Sequence, residues 1–309
     1  MLHWRLSLGG LIIAALVLLC WLDAVVARPG AFLFPVAIML SWVGVVELLE
    51  IFNKRGRLPL AWAMFGGVLL AVVSAGMPVL WPEAVTTPVG RLGWLSIGLG
   101  GGVLLAMFGE MQRYDGRWQS TINLGLSMFA VVYLGGLMGF MVQLRLLGGP
   151  PWGDDGRWGL LALVSLIATV KMSDIGQYTV GRLIGRHPLA PAVSPGKTWE
   201  GAVGGIVFAV GAAWAVFHWG TGVILGTAGA AGGGFLPADH PLAITLFALA
   251  VAISGIVGDL TESMLKRDAG MKDSSHWLPG FGGVLDVLDS LLAAAPVAYL
   301  FWALRLVGP

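Results

Sequence analysis

The chain has 309 residues, of which 57% are hydrophobic and 11% charged, with a formal net charge of +1 and a mean hydropathy of +0.84. A soluble domain does not carry that composition without exposing apolar surface, and basic residues scattered among loops leave no electrostatic footprint for nucleic acid. One cysteine, Cys20, excludes an intramolecular disulfide and a cysteine metal cluster; inside an apolar run it reads as a small hydrophobic filler.

Nine apolar runs, each long enough to cross a hydrocarbon core of roughly 30 Å as a helix, predict an all-α polytopic integral membrane protein. They cover 8–27, 31–52, 60–81, 90–110, 121–144, 157–180, 201–219, 241–265 and 284–305. The first is longer than the apolar region of a signal peptide and is followed directly by further spans, so it reads as a retained helix. The glycine runs at 98–102 and 231–235 read as helix-packing and turn residues, because small side chains let membrane helices approach closely. No internal repeat is evident, and no stretch between spans is long enough to fold alone.

With nine spans, one side collects Arg5, Lys54, Arg55, Arg57, Arg113, Arg117, Arg182, Arg186, Lys197, Lys266, Arg267 and Lys272. The other collects Arg28, Arg91, Arg145, Arg157 and Arg305, with Lys171 inside the sixth run. The positive-inside rule therefore puts the N-terminus and the loops around 53–58, 111–118, 182–198 and 266–280 in the cytoplasm. Residues 1–150 form about five helices that serve as scaffold and as a lipid-facing or oligomer surface. Residues 151–309 form about four helices and carry the chemistry.

Ionisable groups inside a membrane protein are usually functional, and three groups of them lie in that second half. In the sixth run Lys171, Asp174 and Tyr178 are spaced three and four apart on one helical face, where a lysine and a carboxylate can pair. A structural ion pair fits the same spacing. At 194–201 the sequence Ser-Pro-Gly-Lys-Thr-Trp-Glu-Gly opens the seventh run. Ser194 as N-cap with Pro195 in the first turn predicts a helix N-terminus, and Lys197 and Thr198 beside it suit a phosphate. A plain cap with a lysine snorkelling at the membrane edge is the alternative. A Walker loop is excluded because its first glycine would fall at Pro191 and what precedes it is a membrane span and loop.

In the eighth run Asp259, Glu262, Ser263 and Lys266 share one face. After a turn rich in glycine and proline, Asp286 and Asp289 stand one helical turn apart at the start of the ninth. Adjacent antiparallel helices would gather Asp259, Asp286 and Asp289, and such a set calls for a divalent cation to offset its repulsion. Oxygen donors suit Mg²⁺, which keeps waters and bridges to substrate phosphates. A salt-bridged helical hairpin is the bland reading.

The run from Ser263 through Lys266, Arg267, Lys272, Asp273, Ser275, Leu278, Pro279, Gly282 and Gly283 to Asp286 and Asp289 resembles the signature of phosphatidate cytidylyltransferases, also called CDP-diacylglycerol synthases. Asp174, Tyr178, Gly181 and Arg182, and then Ser194, Lys197, Thr198, Glu200 and Gly201, are similar to that family in the same order. Glu47 in the second run is similar to an acidic position common in such enzymes. Phe281 stands where the family usually has histidine, and Val287 where it usually has arginine.

The resemblance implies transfer of CMP from CTP to phosphatidic acid, giving CDP-diacylglycerol and pyrophosphate for phospholipid biosynthesis. It implies Mg²⁺ on Asp259, Asp286 and Asp289, with room for a second cation, and a catalytic set of those three with Lys266 and Arg267. Asp174, Ser194, Lys197, Thr198, Ser263, Lys272 and Asp273 bind substrate on this reading. The expected partners are CTP, phosphatidic acid and membrane lipids, with a homo-oligomer left open and nucleic acid excluded. The expected location is a bacterial-type inner membrane with the site facing the cytoplasm. A CTP-dependent lipid kinase of the dolichol or phytol type would need similar groups but would transfer the γ-phosphate. An ion-coupled transporter would place its polar groups near the bilayer midplane, with repeat symmetry.

Overall fold

A computed structural model describes residues 2–26, 28–81, 83, 89–116, 119–231, 241–275, 277 and 282–309. Among them the chain is all-α apart from one short hairpin. Each of the nine predicted runs contains a helix, and seven helices are long and apolar enough to cross a membrane: Leu33–Lys54, Gly90–Arg113, Ser120–Arg145, Arg157–Ile184, Trp199–Gly226, Pro241–Asp268 and Leu285–Ala303. The first and third runs give shorter apolar helices, Gly9–Val25 and Ala61–Ala75. In the third, the chain breaks at Gly76 and restarts at Met77 with a proline in the first turn, which divides one apolar run between two helices.

Contacts separate the chain into two compact units, residues Met1–Leu146 with Leu265–Val287, and residues Leu147–Met264 with Leu288–Pro309. The first contains α1 (Leu2–Val25), α2 (Leu33–Lys54), α3 (Ala61–Ala75), the short α4 (Met77–Leu80), α5 (Gly90–Arg113), α6 (Ser120–Ala130) and α7 (Leu137–Arg145). A π-helical turn, Val131–Gly136, joins the last two.

Polar contacts fix which helix ends lie together in this unit. At one end Asp23 is buried, accepts hydrogen bonds from Gly30 N, Phe32 N and Leu33 N at 3.0, 2.8 and 3.3 Å, and pairs with Arg145 at 2.6 Å. The carboxylate thereby satisfies free N–H groups ahead of α2 while its charge is offset, the condition under which a buried ion pair is tolerated. Arg91 at the start of α5 donates to Leu146 O at the same end. At the opposite end Arg113 donates to Leu58 O at 2.7 Å, and Arg55 donates to Asp268 O.

The second unit contains α8 (Arg157–Ile184), β1 (Pro188–Ala190), β2 (Ser194–Thr198), α9 (Trp199–Ala215), a π-helical turn (Val216–Gly220) and α10 (Thr221–Ala231). To these it adds most of α11 (Pro241–Asp268) and of α12 (Leu285–Ala303). Strands β1 and β2 pair antiparallel, Pro188 with Thr198 and Ala190 with Ser194. At one end Trp152, Trp158, Phe217, Phe247, Phe301 and Trp302 form a chain of ring contacts with centroids 5.6 to 6.4 Å apart. Trp302 Nε1 donates to Ser165 Oγ at 3.2 Å, so the buried indole has its partner. Lys171, Asp174, Lys197 and Asp259 lie towards the other end, where α8 turns through the hairpin into α9.

The hairpin corrects one expectation. Ser194 and Pro195 lie in β2, and the N-cap of α9 is Thr198, whose Oγ1 accepts from Gly201 N at 3.1 Å. Proline is tolerated at the edge of a two-stranded sheet. Glu200 ties the hairpin down, accepting from Arg186 N and His187 N at 3.1 and 3.2 Å and meeting His187 Nδ1 at 2.5 Å. These contacts make the start of α9 four residues later than a serine-proline signal implies.

Candidate active site

In the second unit the face of α8, strand β2, the first turn of α9 and Asp259 of α11 enclose a cleft of about 450 Å³. Its lining includes Asp174, Gln177, Tyr178, Arg182, Lys197, Thr198 and Asp259. Helical periodicity explains the α8 contribution, since positions 174, 177, 178 and 181 lie on one face. Lys197 Nζ lies 2.5 Å from Asp259 Oδ2, and both side chains are largely shielded. Lys171 pairs with Asp174 at 3.3 Å on α8. Ser263 Oγ lies 3.5 Å from Asp259 Oδ1, and Ser290 Oγ lies 3.5 Å from Asp174 Oδ1.

Asp289 is buried and accepts from Ser290 N at 2.5 Å. Its carboxylate experiences the like charges of Asp259 and Asp174 and the opposite charge of Lys171. The approach of α11 to α12 depends on Gly258, where a Cβ would meet Asp289 O at 2.5 Å. This unit therefore brings Asp174, Asp259 and Asp289 into one field, balanced by Lys171 and Lys197. Ser194 does not line the cleft; it sits in the hairpin that presents Lys197 and Thr198.

Asp286 belongs to the first unit and has a full set of donors there. Lys266 binds it, Ser274 N and Gly283 N donate at 3.0 and 2.7 Å, and Ser274 Oγ lies 2.8 Å away. Gly283 is required at this point, because a Cβ would fall 2.0 Å from Ser274 Oγ and 2.5 Å from both oxygens of Glu47. Arg267 is exposed in the last turn of α11, and Lys272 and Asp273 are exposed in the segment that follows it. Val287 follows Asp286 in the first turn of α12; Phe281, Leu278 and Pro279 lie outside the described residues.

Among the described residues no three of histidine, cysteine, aspartate and glutamate come together as ready metal ligands. The donor chemistry still fits Mg²⁺, which usually takes one or two protein carboxylates and completes its shell with water and substrate phosphates. Asp259 and Asp289 supply such a pair in the second unit, so the wider set of Asp259, Asp286 and Asp289 is not needed for the fit.

The family model described as the cytidylyltransferase family matches residues 11–305. The chain belongs to the cytidylyltransferase family. Phosphatidate cytidylyltransferase from Haemophilus influenzae is 43% identical over 148 residues, 48% of this chain and 48% of its own length. The Brucella suis protein of the same name is 41% identical over 163 residues, 53% of each chain. That of Mycobacterium bovis is 30% identical over 244 residues, 76% of this chain and 72% of its own. In these matches the cytidylyltransferase spans about half the length of the first two relatives.

Two features of this cytidylyltransferase escaped the reading of its sequence. Ser274 lies within hydrogen-bond distance of two carboxylates, yet nothing in its spacing marks it apart from Ser275. Gln177 lines the cleft, and its position on the Asp174 face of α8 was the available signal.

Proposed function

We propose that the chain is a phosphatidate cytidylyltransferase, moving CMP from CTP to phosphatidic acid and releasing pyrophosphate. One observation carries this reading beyond family membership: the cleft sets Lys197 and Thr198 against Asp174 and Asp259 at one end of membrane-length helices. Both substrates are polyanions, and nucleotidyl transfer asks the protein for charge neutralisation and in-line positioning rather than for a covalent intermediate. The shared name of the relatives supports the same substrates.

A phosphate oxygen of phosphatidic acid attacks the α-phosphorus of CTP. The bond from that phosphorus to the bridging oxygen breaks, and the oxygen leaves on pyrophosphate with the electron pair. Lys197 and Thr198 hold one phosphate, Thr198 from the N-terminus of α9 where free N–H groups favour an anion. Lys266, Arg267 and Lys272 hold the oxygens of CTP, with Asp286 fixing the direction of Lys266. Mg²⁺, when bound, supplies charge neutralisation at the α-phosphate and the leaving group, and Asp259 and Asp289 would hold it. Asp174 keeps Lys171 in place and has the donor chemistry for a second cation.

The proposal includes an inner-membrane location with the N-terminus and the cleft on the cytoplasmic side, where CTP arrives from water and the lipid phosphate stays at headgroup depth. The test supplies the full chain in detergent with phosphatidic acid, Mg²⁺ and CTP labelled at the α- or the γ-phosphate. Label from the α-position is expected in the lipid and none from the γ-position. Transfer of γ-label, or no liponucleotide at all, would overturn the reading.

A further inference from the structure

The second helix lies far in sequence from the charged motifs, yet one of its residues organises them. Glu47 of α2 is fully buried. Its Oε1 accepts from Ser275 Oγ and from Val284 N, both at 2.8 Å. Its Oε2 accepts from Leu285 N at 2.7 Å and lies 3.0 Å from Ser274 Oγ. That hydroxyl is also 2.8 Å from Asp286 Oδ2, so its single proton is shared between two carboxylates.

A carboxylate so deep in an apolar unit is tolerated only with strong donors around it. Here two come from the free N–H groups at the start of α12, where the helix dipole favours negative charge. The remaining two come from Ser274 and Ser275, within three residues of Lys272. Glu47 therefore joins the end of the segment that follows Lys266 and Arg267 to the beginning of the helix that carries Asp286.

We propose that Glu47 is a positioning residue for nucleotide binding: its carboxylate ties Ser274 and Ser275 to Val284 and Leu285 so that Lys266, Arg267 and Lys272 face the phosphates of CTP. This deepens the proposed function and rests on its reading of those three cations as CTP ligands.

Glu47→Gln is the informative variant because it keeps the shape. Each oxygen of Glu47 faces a backbone N–H as well as a hydroxyl, so either orientation of the amide points its NH₂ at a backbone donor. A hydroxyl can turn to accept; a backbone N–H cannot. Leaving a buried donor unmatched costs about 1–3 kcal/mol, which as a binding penalty is about fivefold to 150-fold.

Three measurements on the full chain in detergent test the proposal: the dissociation constant of CTP, the KM values for CTP and phosphatidic acid, and hydrogen exchange of the amides of Val284 and Leu285. Glu47→Gln is expected to weaken CTP binding about tenfold, to raise the KM for CTP alike, to leave that for phosphatidic acid unchanged and to speed exchange at both amides. Glu50→Gln, exposed one turn away on α2, is the control and should match wild type. If Glu47→Gln binds CTP as wild type does, or if its activity falls only in proportion to lost folded protein with both KM values unchanged, the proposal is overturned. A wild-type chain that binds CTP but makes no liponucleotide would instead sink the proposed reaction and leave the binding and exchange results to decide the role of Glu47.

Discussion

Lys197 and Asp259 illustrate what a residue-scale contact in this site has to do. A lysine and an aspartate 2.5 Å apart, each largely shielded, offset each other's burial, and a substrate phosphate arriving beside Lys197 would compete for the same ammonium. Removing either partner leaves the other uncompensated, so the two losses should not add. Lys197→Ala and Asp259→Asn are each expected to lower turnover by about a hundredfold or more, with the double variant far less impaired than the product of the two. Steady-state rates of liponucleotide formation measure this cycle, and strict additivity would show that the residues act separately. Asp259→Asn should also raise the Mg²⁺ concentration needed for half-maximal rate, since the carboxylate is a proposed ligand. Spacing along α8 and α11 made Asp174, Asp259 and Ser263 legible in the sequence, because helical periodicity is a local property. The Glu47 contacts were not legible, because they join positions 227 to 238 residues apart.

At the scale of elements, the cleft depends on how closely α8 and α9 approach. A Cβ on Gly176 would meet Gly204 O at 2.8 Å, and one on Gly204 would meet the Val180 side chain at 2.4 Å. Small residues at such crossings let membrane helices pack backbone to backbone. Gly204→Val is therefore expected to force the pair apart, destabilising the fold by about 1–3 kcal/mol. It should lower the thermal midpoint in detergent and weaken CTP binding together. Gly211→Val, in the same helix but with open space at its Cβ, should leave both unchanged; equal effects from the two would refute the packing argument. Apolar runs revealed the helices because membrane length imposes a simple rule on sequence. The hairpin between α8 and α9 was hidden because a serine-proline pair signals a helix start as readily as a strand edge. Only the pairing with β1 and the contacts of Glu200, which are not local in sequence, decide between them.

For the whole molecule, the course of α3 decides on which face each later loop lies. Its 15 residues rise about 22 Å at 1.5 Å each, short of the roughly 30 Å hydrocarbon core. Contacts within the first unit nevertheless carry it from end to end. Leu58, just before α3, receives a hydrogen bond from Arg113 at the end of α5. Gly76, just after it, sits against Phe34 at the start of α2, where a Cβ would fall 2.1 Å from the ring. Thus α2 and α5 end on the same side of this unit and α3 runs back between them. Lys54, Arg55, Arg57 and Arg113 then share one side, as the positive-inside rule asks; if α3 failed to cross, Arg113 would be carried to the opposite face. Single cysteines placed in a Cys20→Ser background read this directly with a membrane-impermeant maleimide. Asn53→Cys and Tyr114→Cys should label only from the cytoplasmic side, and Val89→Cys only from the other. Labelling of Asn53→Cys and Val89→Cys from one side would mean that α3 lies within the membrane without crossing it, and would break the charge assignment on which the proposed orientation rests.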